Sequence, residues 1–315
     1  MFKPVLAIAG GVGGAKLALG LSRVLDKSEL SIIVNTADDE TFHGLHVSPD
    51  LDTVMYTLAG LSNIEQGWGL EGETFRFLES LERLGGDVWF RIGDSDLATH
   101  IRRKELLQNG YTLTEATKYL CKQLNIDTNI IPMSNDQIKT VAVTEEGELP
   151  FQDYFVRRRC EPKISAIRFE GSEIATPSPD FELALKNSGS IVLCPSNPLV
   201  SIGPVLAIPG VRKKVRNFKG PRIAISPIVG GKAIKGPAAK MMTELGEEPS
   251  CVSVAQGYIG LIDALLIDHI DDQQAQKITD LCIKPVVTNT IMETLEDKVR
   301  LANEVSNLLE NWYGD

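Results

Sequence analysis

Residues 5–36, VLAIAGGVGGAKLALGLSRVLDKSELSIIVNT, restrict the fold more than any other stretch of the chain. Val5 to Ala9 is an apolar run of the length and composition of a buried strand. Leu17, Leu21, Val24 and Leu25 then recur at helical spacing, and LSIIVNT at 30–36 is a second apolar run. Strand, glycine-rich turn, helix and strand make a βαβ unit, the opening of a parallel sheet. The turn GGVGGAK, residues 10–16, lets backbone N–H groups approach a ligand and aims a helix N-terminus at it, which suits phosphate. Two familiar patterns fit it badly. GxGxxG started at Gly11 and Gly13 places Lys16 where the third glycine belongs, and a P-loop needs Gly-Lys-Ser/Thr where Ala15, Lys16 and Leu17 stand. The plain alternative is a tight turn packing helix on sheet; the expectation is an atypical loop holding a phosphate-bearing ligand.

The rest of the chain continues the theme with an interruption. HVSPDLDTVMYTLAG reads as a loop feeding a helix, with Ser48 as N-cap, Pro49 at the first helical position and Leu51, Val54, Met55 and Leu58 as its apolar stripe. Residues 70–125 read as mostly helical, and 138–175 as short strands in a hairpin or meander. From 190 onward SIVLCPSNP, RIAISPIVGG, SCVSVAQGY, ALLIDHID and KPVVTNT are strand-like, and a last helix spans about 291–313. The expected class is α/β: a Rossmann-like, doubly wound, mainly parallel sheet from residues 1–60 and 176–315. Residues 61–175 form a helical and small-strand insertion covering the site.

In such sheets ligands sit beyond the carboxyl ends of the strands. The residues there form a small, polar, anion-friendly rim: the glycine loop, Asn35 to Asp39, Pro195 to Pro198, Ser226 to Gly231 and Thr288 to Thr290. Asp38 and Asp39 suit a ribose or base edge, or a turn cap. Ser196 and Asn197 suit a ligand or simple turn chemistry. Gly230-Gly231 with Lys232 and Lys235 offers a second phosphate cradle. Asp50 and Asp52 stand in the first turn of their helix, where dipole complementarity alone accounts for them. Arg91, Asp94, Ser95, Asp96 and His100 bring a cation, oxygen ligands and a histidine within ten residues. Carboxylates near phosphate loops suit Mg²⁺, which shares its shell between one or two carboxylates, water and phosphate. Composition narrows the partners. A formal net charge of −10 with no long basic run argues against nucleic acid. The five cysteines, at 121, 160, 194, 251 and 282, form no CxxC pair and suggest free thiols in a reducing compartment. With no signal peptide and no apolar span of about 18 residues, a cytoplasmic protein free of the membrane is expected.

Taken together and in order, GGVGGAK, NTADD, HGLHVSPDLDTVMYTLAG, RIGDSDLATH, PMSND, VLCPSNPLVSIGPVLAIPG, SPIVGGKAIKGPA and VVTNTIM resemble the 2-phospho-L-lactate transferase family of coenzyme F-420 biosynthesis across nearly the whole chain. The resemblance implies a Rossmann-like core, a homodimer and Mg²⁺ dependence. It implies a reaction in which a guanosine-diphosphate-activated phospholactate, or a phosphoenolpyruvate- or 3-phosphoglycerate-derived counterpart, gives its phospholactyl-type group to a deazariboflavin and releases GMP. Carried over by position, it implies Asp50 as catalytic residue and metal ligand. Asp50 and Arg91, with Asp94 and His100 nearby, fall on the deazaflavin side. Gly11, Gly13 and Gly14, with the Asn197 and Gly230-Gly231 loops, match the nucleotide and phosphate side, to which the strand-end reading adds Lys16, Asp38, Ser196 and Lys232. Two other classes compete: a regulatory protein of the same fold that binds a nucleotide-sugar without turning it over, and an NAD-dependent dehydrogenase, which the missing third glycine disfavours.

GDP or GMP, and not NAD, is expected to raise the midpoint of thermal unfolding. A ligand at a hundredfold excess over its dissociation constant adds about 2.7 kcal/mol. Equal shifts with NAD and GDP in a melting experiment would count against the loop reading.

Overall fold

The computed structural model describes residues 4–312. Its centre is a seven-stranded sheet built from β1 (Val5–Ala9), β2 (Leu30–Val34), β3 (Asn129–Pro132), β4 (Ser190–Leu193), β5 (Arg222–Ile225), β6 (Ala264–Asp268) and β7 (Lys284–Thr288). The spatial order is β3-β2-β1-β4-β5-β6-β7 and every pairing is parallel. The first six strands follow the order of a dinucleotide-binding sheet, so the winding reverses between β1 and β4. Alternation along β1 sets the two layers. Leu6 and Ile8 enter one apolar core with Ile33, Ile131 and Leu193, whereas Val5, Ala7 and Ala9 enter the other with Leu17, Leu21 and Met55. Both faces of the strand are buried, which is why it reads as an unbroken apolar run.

Helix α1 (Gly11–Val24) follows β1 directly, α2 (Pro49–Ala59) feeds back over the sheet, and α3 (Asp94–Gln108) and α4 (Leu113–Gln123) lie in the helical stretch. A capping box of Thr112 and Glu115 starts α4. The closing helix α5 (Leu295–Trp312) packs on α1 so closely that a Cβ at Gly20 would lie 2.1 Å from the Lys298 carbonyl oxygen. Its expected last residue, Tyr313, is outside the described residues. Among the described residues no helix is long and apolar enough to cross a membrane.

Three expectations change. Segment 61–175 is not wholly peripheral, because it supplies edge strand β3 beside β2; its other strands, Lys139–Thr144, Gly147–Pro150 and Ile164–Glu170, form the small antiparallel sheet foreseen. SCVSVAQGY is not a strand. Cys251–Gly257 is a helix, started by the Ser250 hydroxyl accepting the Ser253 N–H at 3.1 Å, a local bond that outweighs the valine alternation. Ser48 stands at the N-cap of α2 without making a cap bond, because its hydroxyl donates to Asp39 instead.

Gly13 is a point of close approach between α1 and the turn after β4. A Cβ there would lie 2.1 Å from the backbone oxygen of Pro195. Gly13→Val is therefore expected to lower the yield of folded protein sharply, with a collapsed thermal midpoint. A Gly13→Val chain that melts like the wild type and has lost only ligand affinity would contradict this packing.

Candidate functional site

At the switch point, beyond the carboxyl ends of β1 and β4, lies a cavity of about 590 Å³. Its floor is organised by Asn35, the residue that follows β2. The Asn35 Nδ2 donates to Asp38 Oδ2 at 3.1 Å and to Asp50 Oδ2 at 3.0 Å, and lies 3.2 Å from the Val200 carbonyl; its Oδ1 accepts the Ala37 N–H. Asp50, delivered by the first turn of α2, accepts the Gly11 N–H on Oδ1 at 2.8 Å. Gly11 adopts φ +58°, a backbone state that favours glycine and turns this N–H toward the carboxylate. Both carboxylates are buried, and among the described residues neither pairs with a cation. Burial pushes the Asp50 carboxyl up to about 6 against the pull of its bonds from Asn35 and Gly11. Burial, and then the neighbouring Asp50 charge, raise Asp38 well above the ordinary carboxylate range. Asp38 Oδ1 is buried with no partner. Two adjacent buried carboxylates suit a hard divalent cation that completes its shell with water and phosphate. No group of three histidine, cysteine or acidic side chains suited to a metal occurs among the described residues. Asp39 faces elsewhere and accepts from His46 Nε2 at 2.9 Å and Ser48 at 2.7 Å.

The glycine loop is partly spent on the protein itself. The Gly10 N–H donates to Ser196 Oγ at 3.0 Å, and Gly11 serves Asp50. Gly11 and Gly13 line the cavity; Gly14 does not, because it packs against Ser196 and Ala9. Ser196 and Asn197 both line it, and the Asn197 side chain accepts the Leu199 N–H to start the π-helical turn Pro198–Ile202. Lys16 is half-buried on the wall and its ammonium donates to the Met292 carbonyl at 2.7 Å; burial, then the charge of Lys235, lower its pKa. The second cradle is corrected. Gly230 and Gly231 are the two-residue turn of the hairpin Ile228–Val229/Lys232–Ala233, with φ of +56° and +76°. The Gly230 N–H is taken by Asp271 at 3.0 Å, and neither glycine nor Lys232 reaches the cavity. Lys235, just beyond the hairpin, does reach it, with its ammonium on the Glu65 and Gln66 carbonyls at 3.2 and 2.8 Å.

On the opposite wall stand Arg91 and His100. The Arg91 guanidinium lies 4.1 Å above the Phe75 ring. Asp94, expected beside them, points outward and accepts from the Arg76 and Phe77 N–H groups and the Thr74 hydroxyl, tying down the helix Arg76–Arg83 rather than meeting a ligand. The wall also holds residues that the sequence did not single out. Tyr56 donates to Asp96 at 2.7 Å, and Arg103, fully buried behind the wall, pairs with Asp52. Gln152 donates to the Asp38 carbonyl at 3.0 Å and so pins the stretch 151–156 over the cavity, where Phe151 and Phe155 stack at 5.5 Å. This stretch runs into the π-helical segment Asp153–Arg157, a geometry frequent at functional sites. Nothing local in FQDYFV marks it, since Gln152 and Asp38 are 114 residues apart. The cavity thus combines a buried carboxylate pair, two ammonium groups and aromatic walls.

A match to the family described as 2-phospho-L-lactate transferase CofD spans residues 5–304. The phosphoenolpyruvate transferase of Streptomyces griseus is 38% identical over 312 residues, covering 97% of this chain and 98% of that protein. The 2-phospho-L-lactate transferase of Methanocaldococcus jannaschii is 37% identical over 305 residues, with 96% of each chain covered. That of Methanopyrus kandleri is 39% identical over 311 residues, with 98% of each covered. Among solved structures, a protein of the UPF0052 family from Bacillus halodurans superposes with a TM-score of 0.63 at 17% identity, covering 97% of this chain and 99% of that one. That likeness concerns the fold.

The raised carboxyls carry a stability consequence. A carboxyl whose pKa is higher folded than unfolded favours the fold at low pH and loses that contribution as pH rises through the folded pKa. Asp38→Asn keeps the bond from Asn35 and removes the buried charge. The ligand-free variant is expected to melt a few degrees above wild type at pH 8, with the gap closing toward pH 4. A variant less stable than wild type at pH 8, by scanning calorimetry, would refute the buried charge at Asp38.

Proposed function

The chain belongs to the 2-phospho-L-lactate transferase family, and from that premise we propose the reaction it performs. It moves a phospholactyl-type group from a guanosine-diphosphate-activated acid to the terminal ribityl hydroxyl of 7,8-didemethyl-8-hydroxy-5-deazariboflavin and releases GMP. The hydroxyl oxygen bonds to the β-phosphorus, the bond from that phosphorus to the bridging oxygen breaks, and GMP departs with the electron pair. The observation that carries this reading is the pair Asp38 and Asp50, buried in one cavity with Lys16 and Lys235 and balanced by no cation of their own. Asp38 and Asp50 would hold Mg²⁺, which when bound supplies neutralisation of diphosphate oxygens. Asp50, at the mouth of the glycine loop, would orient the attacking hydroxyl and accept its proton. Lys16 and Lys235 carry the charge of the diphosphate, and the Gly11–Gly13 loop admits it closely. The aromatic wall of Phe90, Phe151 and Phe155 receives the flat acceptor.

The donor acid belongs to the phospholactate and phosphoenolpyruvate class, since relatives of both names match over their full length. A binding-only regulator is disfavoured by the transferase names of these relatives. The homodimer implied by the sequence resemblance and the cytoplasmic setting expected from the sequence are part of this same proposal.

Asp50→Asn is the direct test. A residue serving only the helix dipole contributes about 0.3–1 kcal/mol to stability, whereas a general base contributes roughly 10²–10⁴ in rate. Mixing protein, deazariboflavin and activated donor and following GMP should show turnover at least about a hundredfold lower than wild type. The circular dichroism spectrum, and GDP affinity measured without Mg²⁺, should be retained. Turnover close to the wild-type rate removes Asp50 from the chemistry.

A further inference from the structure

The loop between α2 and the helix Arg76–Arg83 is a closed unit laid against the cavity. The chain enters and leaves it through Gly60 and Gly72, at φ of +72° and +71°, and no atom lies within 4 Å of the place of a Cβ at either. Its two ends are tied together. The Glu71 N–H donates to the Leu61 carbonyl at 2.9 Å and the Asn63 N–H to the Gly69 carbonyl at 3.1 Å. Inside it, the Gln66 N–H donates to Asn63 Oδ1 at 2.8 Å. This is the build of an Ω-loop, a compact surface loop with joined ends.

Little holds this unit down. Leu70 packs on the core, whereas Leu61, Ile64 and Trp68 are exposed, Ile64 at 83%. Among the described residues, the hydrogen bonds of residues 62–70 are internal to the loop except two. Both come from the Lys235 ammonium, to the Glu65 carbonyl at 3.2 Å and the Gln66 carbonyl at 2.8 Å. The loop also rests on the glycine turn. A Cβ at Gly67 would stand 2.7 Å from Val12 Cγ1 and 3.0 Å from Lys235 Nζ. Gln66, Trp68 and Gly69 line the cavity beside Val12 and Lys235. Loops with so few anchors open at low cost, the stability class from which active-site lids are drawn.

An ammonium has three N–H donors, and Lys235 spends two of them on the loop. We propose that residues 61–71 are a strap over the diphosphate of a bound nucleotide and that Lys235 is its clasp, with two donors on the strap carbonyls and the third on a phosphate oxygen. This rests on the transferase reading, in which Lys235 faces that diphosphate. The clasp couples occupancy to closure in both directions. A phosphate oxygen fixes the ammonium beside the carbonyls it already holds, and lifting the strap strips two acceptors from that same ammonium. The charge of Lys235 acts unfavourably on Lys16. An anion between the two replaces that repulsion with attraction, which firms the clasp further. Nucleotide enters and leaves when the strap lifts, so strap opening limits its release.

Two measurements on wild type, Lys235→Met and Gly67→Ala test it, with GDP as the probe. A glutamyl endopeptidase cuts after Glu65, exposed on the strap, at a rate set by how often the strap opens. Fragment masses identify that cut, and the cut after Glu173, in an exposed turn outside the cavity lining, reports any global stabilisation. Saturating GDP should slow the Glu65 cut in wild type at least about tenfold and leave the Glu173 cut unchanged. Lys235→Met should be cut after Glu65 faster than wild type without GDP, and saturating GDP should protect it little. Gly67→Ala, which lifts the strap from Val12 and keeps Lys235, should release GDP at least about tenfold faster in stopped flow. No protection of Glu65 by bound GDP, equal protection in wild type and Lys235→Met, or unchanged release from Gly67→Ala overturns the strap and leaves the transferase reading standing. A wild-type protein that binds no GDP overturns both.

Discussion

The Asn35 side chain holds together the three segments from which the site is made. From the end of β2 its amide reaches Asp38 in its own loop, Asp50 at the start of α2 and the Val200 carbonyl in the turn after β4. Asp50 in turn takes the Gly11 N–H, so the mouth of the glycine loop, α2 and the rim of β2 share one buried hydrogen-bond network. Such a network specifies geometry because every member is costly to leave unpaired. It also explains glycine at position 10, where a Cβ would stand 2.5 Å from Asp50 Oδ2. The loop composition that suggests phosphate therefore answers first to a carboxylate and to the close passage of the Pro195 turn.

Behind this floor a second network gives the opposite wall its rigidity. Arg103 is fully buried, which a guanidinium tolerates only when paired and hydrogen-bonded, and Asp52 supplies that pairing. The pair joins α2 to α3 across the interface that carries Tyr56, Asp96 and His100. A substitution at Arg103 would leave Asp52 buried and unpaired and would release the His100 ring, so the wall and the stability of the helical segment depend on the same contact.

The opening βαβ unit, the return of the strand–helix rhythm after residue 190 and the helical nature of 70–125 were all legible, because periodicity and length are local properties. Strand β3 was not. NIIP is four residues long and announces itself only by pairing with β2. Cys251–Gly257 was misread because alternating valines satisfy a strand pattern, while its Ser250 cap acts through one bond. At the site, strand-end position was enough to bring Asp38, Ser196 and Asn197 to the rim, and helix-start position enough for Asp50. Position failed for Asp94, whose place near a rim residue hides an outward-facing carboxylate, and for Lys232, which sits three residues before the lysine that faces inward. Arg103 and Gln152 carried no signal, since a charged residue in IRRKELL and an amide in FQDYFV are ordinarily solvated. Their roles come from partners 51 and 114 residues away.

The charge inventory of the cavity ties these parts together. Asp38 and Asp50 carry two potential negative charges with no cation beside them, and burial drives both carboxyls toward the neutral form. The Lys16 and Lys235 ammonium groups hydrogen-bond to backbone carbonyls, and burial and the charge of Lys235 lower the pKa of Lys16. The two sets line one cavity and, among the described residues, do not pair with each other. A ligand of one sign would relieve one set and leave the other. A diphosphate carrying a divalent cation relieves both, the cation on the carboxylates and the phosphate oxygens on the ammonium groups. On the proposed reading, a metal–diphosphate pair taken up as a unit would answer both sets at once.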